Sequence, residues 1–122
     1  MQTQISAKTF RFIEIAEKIA RSQSNGVQRH GAVIVKGGNI VGSGANRYTT
    51  GTHAEVCALG QGAWLNKLRG ATIYIVRIRR DRRFGLSAPC IECQKMLRKY
   101  GIRKIYYTTN DINNPVVLET WP

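Results

Sequence analysis

Acidic side chains are scarce in this chain of 122 residues, with 7 Asp and Glu against 19 Lys and Arg, a formal charge of +12 and a pI near 10.3. A field of that sign attracts phosphates, on free nucleotides or along a polymer, without choosing between them. Cysteine is also sparse and odd in number, at 3 residues, two of them in a Cys-x-x-Cys pair beside a proline. That excludes a disulfide scaffold and favours metal binding in a reducing compartment. No apolar run reaches the roughly 18 residues a membrane span needs. Gln2, Thr3, Gln4, Lys8 and Arg11 interrupt the N-terminal apolar positions, so no secretory signal is expected and a cytoplasmic location follows. Repeats and low-complexity linkers are absent, and one domain over 1–122 is expected.

What is present alternates between helical and extended patterns. Phe10, Ile13, Ala16, Ile19 and Ala20 recur at steps of three and four, which predicts a helix from Ser6 to about Ser22 with those residues on its buried face. His30 to Val35 and Ile40 to Ala45 are two strands joined at Gly37-Gly38, a tight hairpin turn. A second helix is expected over His53 to Asn66, and Ala71 to Ile78 is the most strand-like segment, suited to the centre of a sheet. Pro89 suits the first position of a third helix running to Tyr100, where Gly101 stops it. Ile102 to Thr108 and Val116 to Leu118 supply the last strands. The expected architecture is therefore α/β, three layers, with a mixed five-stranded sheet covered by helices on both faces. Its first two strands are antiparallel, later neighbours are parallel through helical crossovers, and the last two strands form an antiparallel hairpin.

Two short segments carry the chemistry: His53-Ala54-Glu55 and Pro89-Cys90-Ile91-Glu92-Cys93. Both fall at strand-to-helix junctions, where open α/β sheets bind ligands. His53, Cys90 and Cys93 are three donors suited to Zn2+, and an ion held by three protein ligands keeps a position for water. Glu55, two residues from His53, points elsewhere around the helix and can move protons without being a ligand. Other meanings stand beside this one. Thr52 to Glu55 also fits a helix capping box, and Cys-x-x-Cys also fits a redox pair or half of a structural zinc site completed by Cys57 or His30. Packing suits Cys57 better, and a sheet-edge or substrate-rim position suits His30. Trp64 and Trp121 suit the core or an interface.

His-x-Glu followed by Pro-Cys-x-x-Cys resembles the signature of the zinc-dependent cytidine and deoxycytidylate deaminase superfamily, which includes tRNA adenosine deaminases and polynucleotide cytidine deaminases. Gly31 to Val35, Gly42 to Asn46 and Ala71 to Ile78 are similar to that family's first, second and central strands, so the resemblance runs from Ala7 to Thr108. It implies a zinc ion on His53, Cys90 and Cys93, with Glu55 as the proton shuttle. It also implies that the backbone amides of Ala54 and Cys90 serve the reacting groups and that Asn46 contacts the sugar. The implied reaction is hydrolytic conversion of cytosine to uracil with loss of ammonia.

The substrate side is expected in the loop after the central strand, where Arg77, Arg79, Arg80, Arg82 and Arg83 crowd together before Ser87-Ala88-Pro89. Arg79, Arg80, Ser87 and Ala88 are the candidate substrate contacts there, with Phe84 and Tyr48 as possible platforms for a base. The bland equivalent of that arginine run is a solvated loop. His53 to Leu59 with Gln61-Gly62 resembles the corresponding helix of tRNA adenosine deaminases, yet their long C-terminal helical segment has no counterpart here. A histidine first ligand resembles deoxycytidylate and polynucleotide enzymes. The expected partner is a free nucleoside or nucleotide such as cytidine, deoxycytidine or dCMP, with the chain acting as a homo-oligomer. Deamination within single-stranded DNA or RNA is the second expectation, adenosine being less favoured than cytosine. The third is a non-catalytic nucleic-acid-binding module with a structural zinc.

Overall fold

Strand alternation sets the layers. The structure is a computed structural model that describes residues 6–24, 28–46, 53–65 and 68–121, with side chains outside 61–65. Along β3 (Thr72–Ile78), Ile73 and Ile75 face one core while Tyr74, Val76 and Ile78 face another. The second core is closed by α1 (Ala7–Gln23), and the first is covered by α2 (Ala54–Leu65) and α3 (Ile91–Lys99). Period-two alternation on a doubly covered sheet thus makes three layers.

The element order continues with β1 (Arg29–Lys36) and β2 (Asn39–Ala45) before α2, β4 (Phe84–Gly85) before α3, and β5 (Lys104–Thr108) and β6 (Val116–Thr120) after it. Strand order is β2-β1-β3-β5-β6, with β4 beside the end of β3. β1 and β2 form the expected hairpin at Gly37-Gly38, β3 and β5 run parallel, and β5 and β6 form an antiparallel hairpin. Two expectations are corrected. The sheet has six strands among the described residues, because Arg79 N–H donates to the Arg83 carbonyl (2.8 Å) and folds the arginine segment back as a hairpin that pairs β4 with β3. The parallel pairing expected of later neighbours holds for β3 and β5 but not for β3 and β1, which lie side by side antiparallel. The α2 crossover makes β2 and β3 parallel in direction without making them neighbours.

Helix α1 starts where Ser6 caps it, its side chain accepting from Thr9 N–H at 3.2 Å. Its buried stripe is Thr9, Phe12, Ile13, Ala16, Ile19 and Ala20. Phe10 is 47% exposed, contrary to expectation, because Thr9 and Phe12 fill the turn that faces the sheet. The later helices begin after the positions their sequences suggest, α2 by one residue and α3 by two. His53 carbonyl accepts from Cys57 N–H (3.1 Å), so His53 precedes the first helical residue. Cys90 is the N-cap of α3, extended at φ −67° and ψ 168°, which leaves Pro89 outside the helix. The Thr52 cap falls outside the described residues.

Two features hold these helix starts in place. At Gly44 of β2 a Cβ would come within 2.3 Å of Cys57 Cβ and 2.9 Å of the Ala54 carbonyl oxygen, so α2 sits as close to the sheet as a glycine permits. The other is a buried pair. Ser87 Oγ donates to the Ile75 carbonyl (2.9 Å) and accepts from Thr108 N–H (2.8 Å), and Thr108 Oγ1 donates to the Gly85 carbonyl (2.8 Å) and accepts from Arg77 N–H (3.1 Å). Ser87 and Thr108 thereby pin the segment leading into Cys90 onto the ends of β3 and β5.

Thr108→Val keeps shape but leaves the Gly85 carbonyl and the Arg77 N–H without that partner. The expected loss in urea unfolding is about 1–3 kcal/mol. Gly44→Ala, which forces α2 outward, is expected to cost about 1–3 kcal/mol in the same measurement. Unchanged midpoints for both variants would show that neither contact constrains the helix starts.

Candidate active site

His53 and Cys90 arrive at one place from separate helix starts, and Cys93 joins them from the first turn of α3. Their ligand atoms all lie within 4.8 Å of one another. His53 Nδ1 is 3.2 Å from Cys93 Sγ and 3.9 Å from Cys90 Sγ. A tetrahedral zinc bonded at ~2.1 Å to nitrogen and ~2.3 Å to sulfur sets such atoms about 3.6 Å apart, and the two distances bracket that value. The donor chemistry agrees. Burial, then the neighbouring Glu55 carboxylate, pushes the Cys93 thiol well above the ordinary thiol range, and a cation is what stabilises a thiolate there. Cys93 N–H also points at Cys90 Sγ (3.5 Å), a helix-start contact that favours negative sulfur.

Glu55 lies beside this trio without belonging to it. It is buried, and burial raises its carboxyl above the usual carboxylate range, opposed by its own backbone N–H, by His53 and by a hydrogen bond from Cys93. Such a carboxyl suits proton movement in both directions. Cys57 packs against Gly44, outside the trio.

The trio's front wall opens into a cavity of about 280 Å3 lined by Gln28, His30, Asn46, His53, Ala54, Glu55, Ser87, Ala88 and Cys90. Six candidates from the sequence therefore share one space with Cys90: Asn46, His53, Ala54, Glu55, Ser87 and Ala88. The N–H of Ala54, the first residue of α2, is among the groups a helix start leaves without an intrahelical acceptor. A second cleft, of about 290 Å3, reaches the trio from the other side between Val56, Glu92 and Met96.

Several side chains have tasks that spacing did not reveal. Asn46 Oδ1 accepts from His30 N–H (2.9 Å) and Ser24 Oγ (2.5 Å), and its Nδ2 donates to the Gln28 carbonyl (2.7 Å). It organises the cavity wall, leaving one amide hydrogen uncommitted among the described residues. Ser87 is likewise a pin, its hydroxyl engaged with Ile75 and Thr108. His30 is on β1, an interior strand, so the edge position is corrected and the rim position is where it lies. Burial, then Arg77 and His53, lowers its pKa to about 4, so it is neutral and able to both donate and accept. Phe84 packs against the α1-side core and is no platform for a base. Tyr48 and the side chain of Trp64 fall outside the described residues, and Trp121 is buried under the Arg98 guanidinium at 4.5 Å.

Arg79 and Arg80 do not line the catalytic cavity. They line a neighbouring depression of about 430 Å3 with Arg77, Ile78 and Asp81, and Gln28 belongs to both. Arg77, the first of the arginine run named from the sequence, has a setting that spacing did not show. It pairs with His30 across the β1–β3 ladder, and its buried Nε has no hydrogen-bond partner among the described residues. The signal was its place in strand alternation, two positions after Ile75 on the face that carries His30. Asp81 forms an ion pair with Arg79 at 3.5 Å, the one acid in the depression.

The comparisons agree with this geometry. The curated relatives include the riboflavin biosynthesis protein RibD of Aquifex aeolicus, 39% identical over 83 residues, which are 68% of this chain and 22% of that protein. The chain thus spans about a fifth of the length of such relatives. Among solved structures, the dCMP deaminase of cyanophage S-TIM5 superposes with a TM-score of 0.68 at 24% identity, covering 88% of this chain and 86% of that one. A diaminohydroxyphosphoribosylaminopyrimidine deaminase/5-amino-6-(5-phosphoribosylamino)uracil reductase of Thermotoga maritima superposes with a TM-score of 0.64 at 26% identity, covering 84% of this chain and 29% of that one. The model of the cytidine and deoxycytidylate deaminase zinc-binding region matches residues 6–109, the span that holds His53, Glu55, Cys90 and Cys93. On that match, over most of its length, the chain belongs to the cytidine and deoxycytidylate deaminase family.

Proposed function

We propose that this chain is a zinc-dependent hydrolase that removes the exocyclic amine of a pyrimidine carried on a free nucleotide, a cytosine-type base becoming its uracil counterpart. One observation carries the reading: a buried Glu55 carboxyl stands beside a His-Cys-Cys donor trio in a cavity of about 280 Å3. Zinc on His53, Cys90 and Cys93 supplies a Lewis acid that brings the ionisation of water near neutral pH. Glu55 takes one proton from the attacking water and passes it to the ring nitrogen, then takes the remaining hydroxyl proton of the adduct and delivers it to the departing amine, which leaves as ammonia as the carbonyl forms. His30 and the uncommitted amide hydrogen of Asn46 orient the sugar or the base edge from the cavity wall. The Ala54 N–H faces the reacting centre as a fixed donor. Cys57 lies outside the trio, which weighs against a structural zinc closed by a fourth cysteine.

Arg79 and Arg80 beside the cavity favour a nucleotide over a nucleoside, since a base seated near Glu55 would send its phosphate toward Gln28 and the depression beyond. The identity to riboflavin biosynthesis proteins supports a second substrate, an aminopyrimidine on a ribose phosphate, which shares both the amine to be lost and the anionic end.

Zinc-loaded protein offered cytidine, CMP, dCMP, an aminopyrimidine ribose phosphate, a single-stranded DNA and a tRNA is expected to release ammonia fastest from one of the phosphorylated pyrimidines. No turnover of any pyrimidine amine at one zinc per chain would end this proposal. Glu55→Gln is expected to keep the metal and lower kcat by about 10²–10⁴-fold, whereas Cys57→Ser is expected to keep both metal and activity. Arg79→Gln with Arg80→Gln should raise KM for the nucleotide about tenfold, the effect of roughly 1.4 kcal/mol of lost phosphate contact, and leave the nucleoside unchanged. Equal effects on both substrates would remove the two arginines from phosphate binding.

A further inference from the structure

A roomy cavity lies away from the catalytic groups. It measures about 670 Å3 and is lined by Lys36, Arg69, Gly70, Arg98, Gly101, Ile102, Arg103 and Trp121. Lys36 ends β1, Arg69 and Gly70 precede β3, Arg98 is in the last turn of α3, Arg103 precedes β5 and Trp121 follows β6. Arg69 therefore lies before the start of β3, whereas Arg77 and the catalytic cavity lie at its end. Seven strand residues at ~3.3 Å each separate the two ends by roughly 20 Å.

Four cations from four chain segments converge here, and among the described residues no acid lines the cavity and none of the four makes an ion pair. Like charges gathered without a counter-charge repel one another. Nor are they loosely arranged. Lys36 Nζ donates to the Arg69 carbonyl, and the Arg98 guanidinium is stacked at 4.5 Å on the Trp121 ring. The floor is tied by Gly70 N–H to the Gly101 carbonyl (2.7 Å), Arg103 N–H to the Ala71 carbonyl (3.1 Å) and Trp121 N–H to the Arg103 carbonyl (2.7 Å). Helix-end electrostatics accounts for Arg98, which faces the negative end of α3, and leaves Lys36, Arg69 and Arg103 without a reason. Lys36 and Arg98, already held at the edge of a roomy concavity, meet an anion with part of their ordering entropy spent.

We propose that this cleft is a second anion site, distinct from the catalytic cavity, which takes two or more adjacent phosphoryl groups. Arginine forks grip such oxygens in pairs. Successive phosphodiesters of a single-stranded nucleic acid and the chain of a free polyphosphate present the same chemistry.

The test uses the zinc-loaded full chain and a labelled 12-nucleotide oligothymidylate, whose bases carry no exocyclic amine to be removed. Binding is followed by anisotropy between 50 and 300 mM salt, and inorganic tripolyphosphate is titrated separately by calorimetry. Arg69→Gln with Arg103→Gln is expected to weaken binding about tenfold at low salt, and to reduce the log-log salt slope by about 1.4, at ~0.7 per lost phosphate contact. Ammonia release should stay within twofold. Arg103→Gln alone, which leaves the backbone bonds of the floor intact, should weaken binding about threefold and serves if the double variant melts early. Oligothymidylate binding that follows these variants supports the site with a phosphodiester ligand. Tripolyphosphate binding that follows them, without oligonucleotide binding, supports it with a compact polyphosphate. Failure of both probes to bind at 50 mM salt overturns the proposal. So does binding that survives Arg69→Gln/Arg103→Gln but is lost in Arg79→Gln/Arg80→Gln.

Discussion

Two helix starts must meet at one point, and most of what surrounds the site follows from that constraint. His53 ends the approach to α2 and Cys90 caps α3, 37 residues later, and their donor atoms stand 3.9 Å apart. β2 and β3 are both antiparallel to β1, so the helices that follow them begin at the same edge of the sheet. Direction alone gives only the right edge. Closeness comes from Gly44, which lets α2 down onto β2, and from Ser87 and Thr108, which hold the approach to Cys90 against β3 and β5. The site is therefore built on sheet geometry through two short tethers, and its loops inherit their positions from buried hydrogen bonds.

Burial then acts on every titratable group that this convergence brings inside. Glu55 and the Cys93 thiol are pushed toward their protonated forms and His30 toward its deprotonated one, in each case with desolvation as the largest cause. The common result is that burial disfavours the charged form of all three. A divalent cation changes the balance differently for each. It favours the Cys93 thiolate, which would touch it, more than the Glu55 carboxylate, which stands outside the donor trio. One environment can thus yield a ligand sulfur and a proton-carrying carboxyl from two groups whose burial effects have the same sign.

The parts of this arrangement that were legible in sequence depend on local periodicity or on residue chemistry. The stripe of α1, the alternation of β3 and the His-x-Glu and Cys-x-x-Cys spacings are all set within a few neighbouring residues. What was not legible depends on partners far along the chain. Thr108 is a pin because β5 sets it beside Ser87, 21 residues away, and nothing in its own neighbourhood distinguishes it from an ordinary strand threonine. The family resemblance implied a sugar contact for Asn46, and its hydrogen bonds to Gln28, His30 and Ser24 were not legible because those partners lie 16 to 22 residues away. β4 was hidden because two residues carry too little pattern to separate a strand from the arginine run before it. The later start of both helices, by one residue in α2 and two in α3, has a shared cause, since a cap residue has extended backbone and still closes the first helical bond.

The excess of positive charge is divided by the same strand that organises the site. At the end of β3, Arg79 is paired to Asp81 and Arg77 keeps a buried Nε without an acceptor. An unmet buried donor costs about 1–3 kcal/mol, and Arg77 belongs to the depression it shares with Arg79 and Asp81. Asp81 beside Arg79 offsets part of that region's attraction for anions. Before the start of β3 no acid intervenes, and Lys36 and Arg98 are held by a carbonyl and an indole ring, partners that leave their charge intact. The two basic regions thus differ in their electrostatics, the one beside the Glu55 cavity carrying an internal counter-charge and the one before β3 carrying none among the described residues.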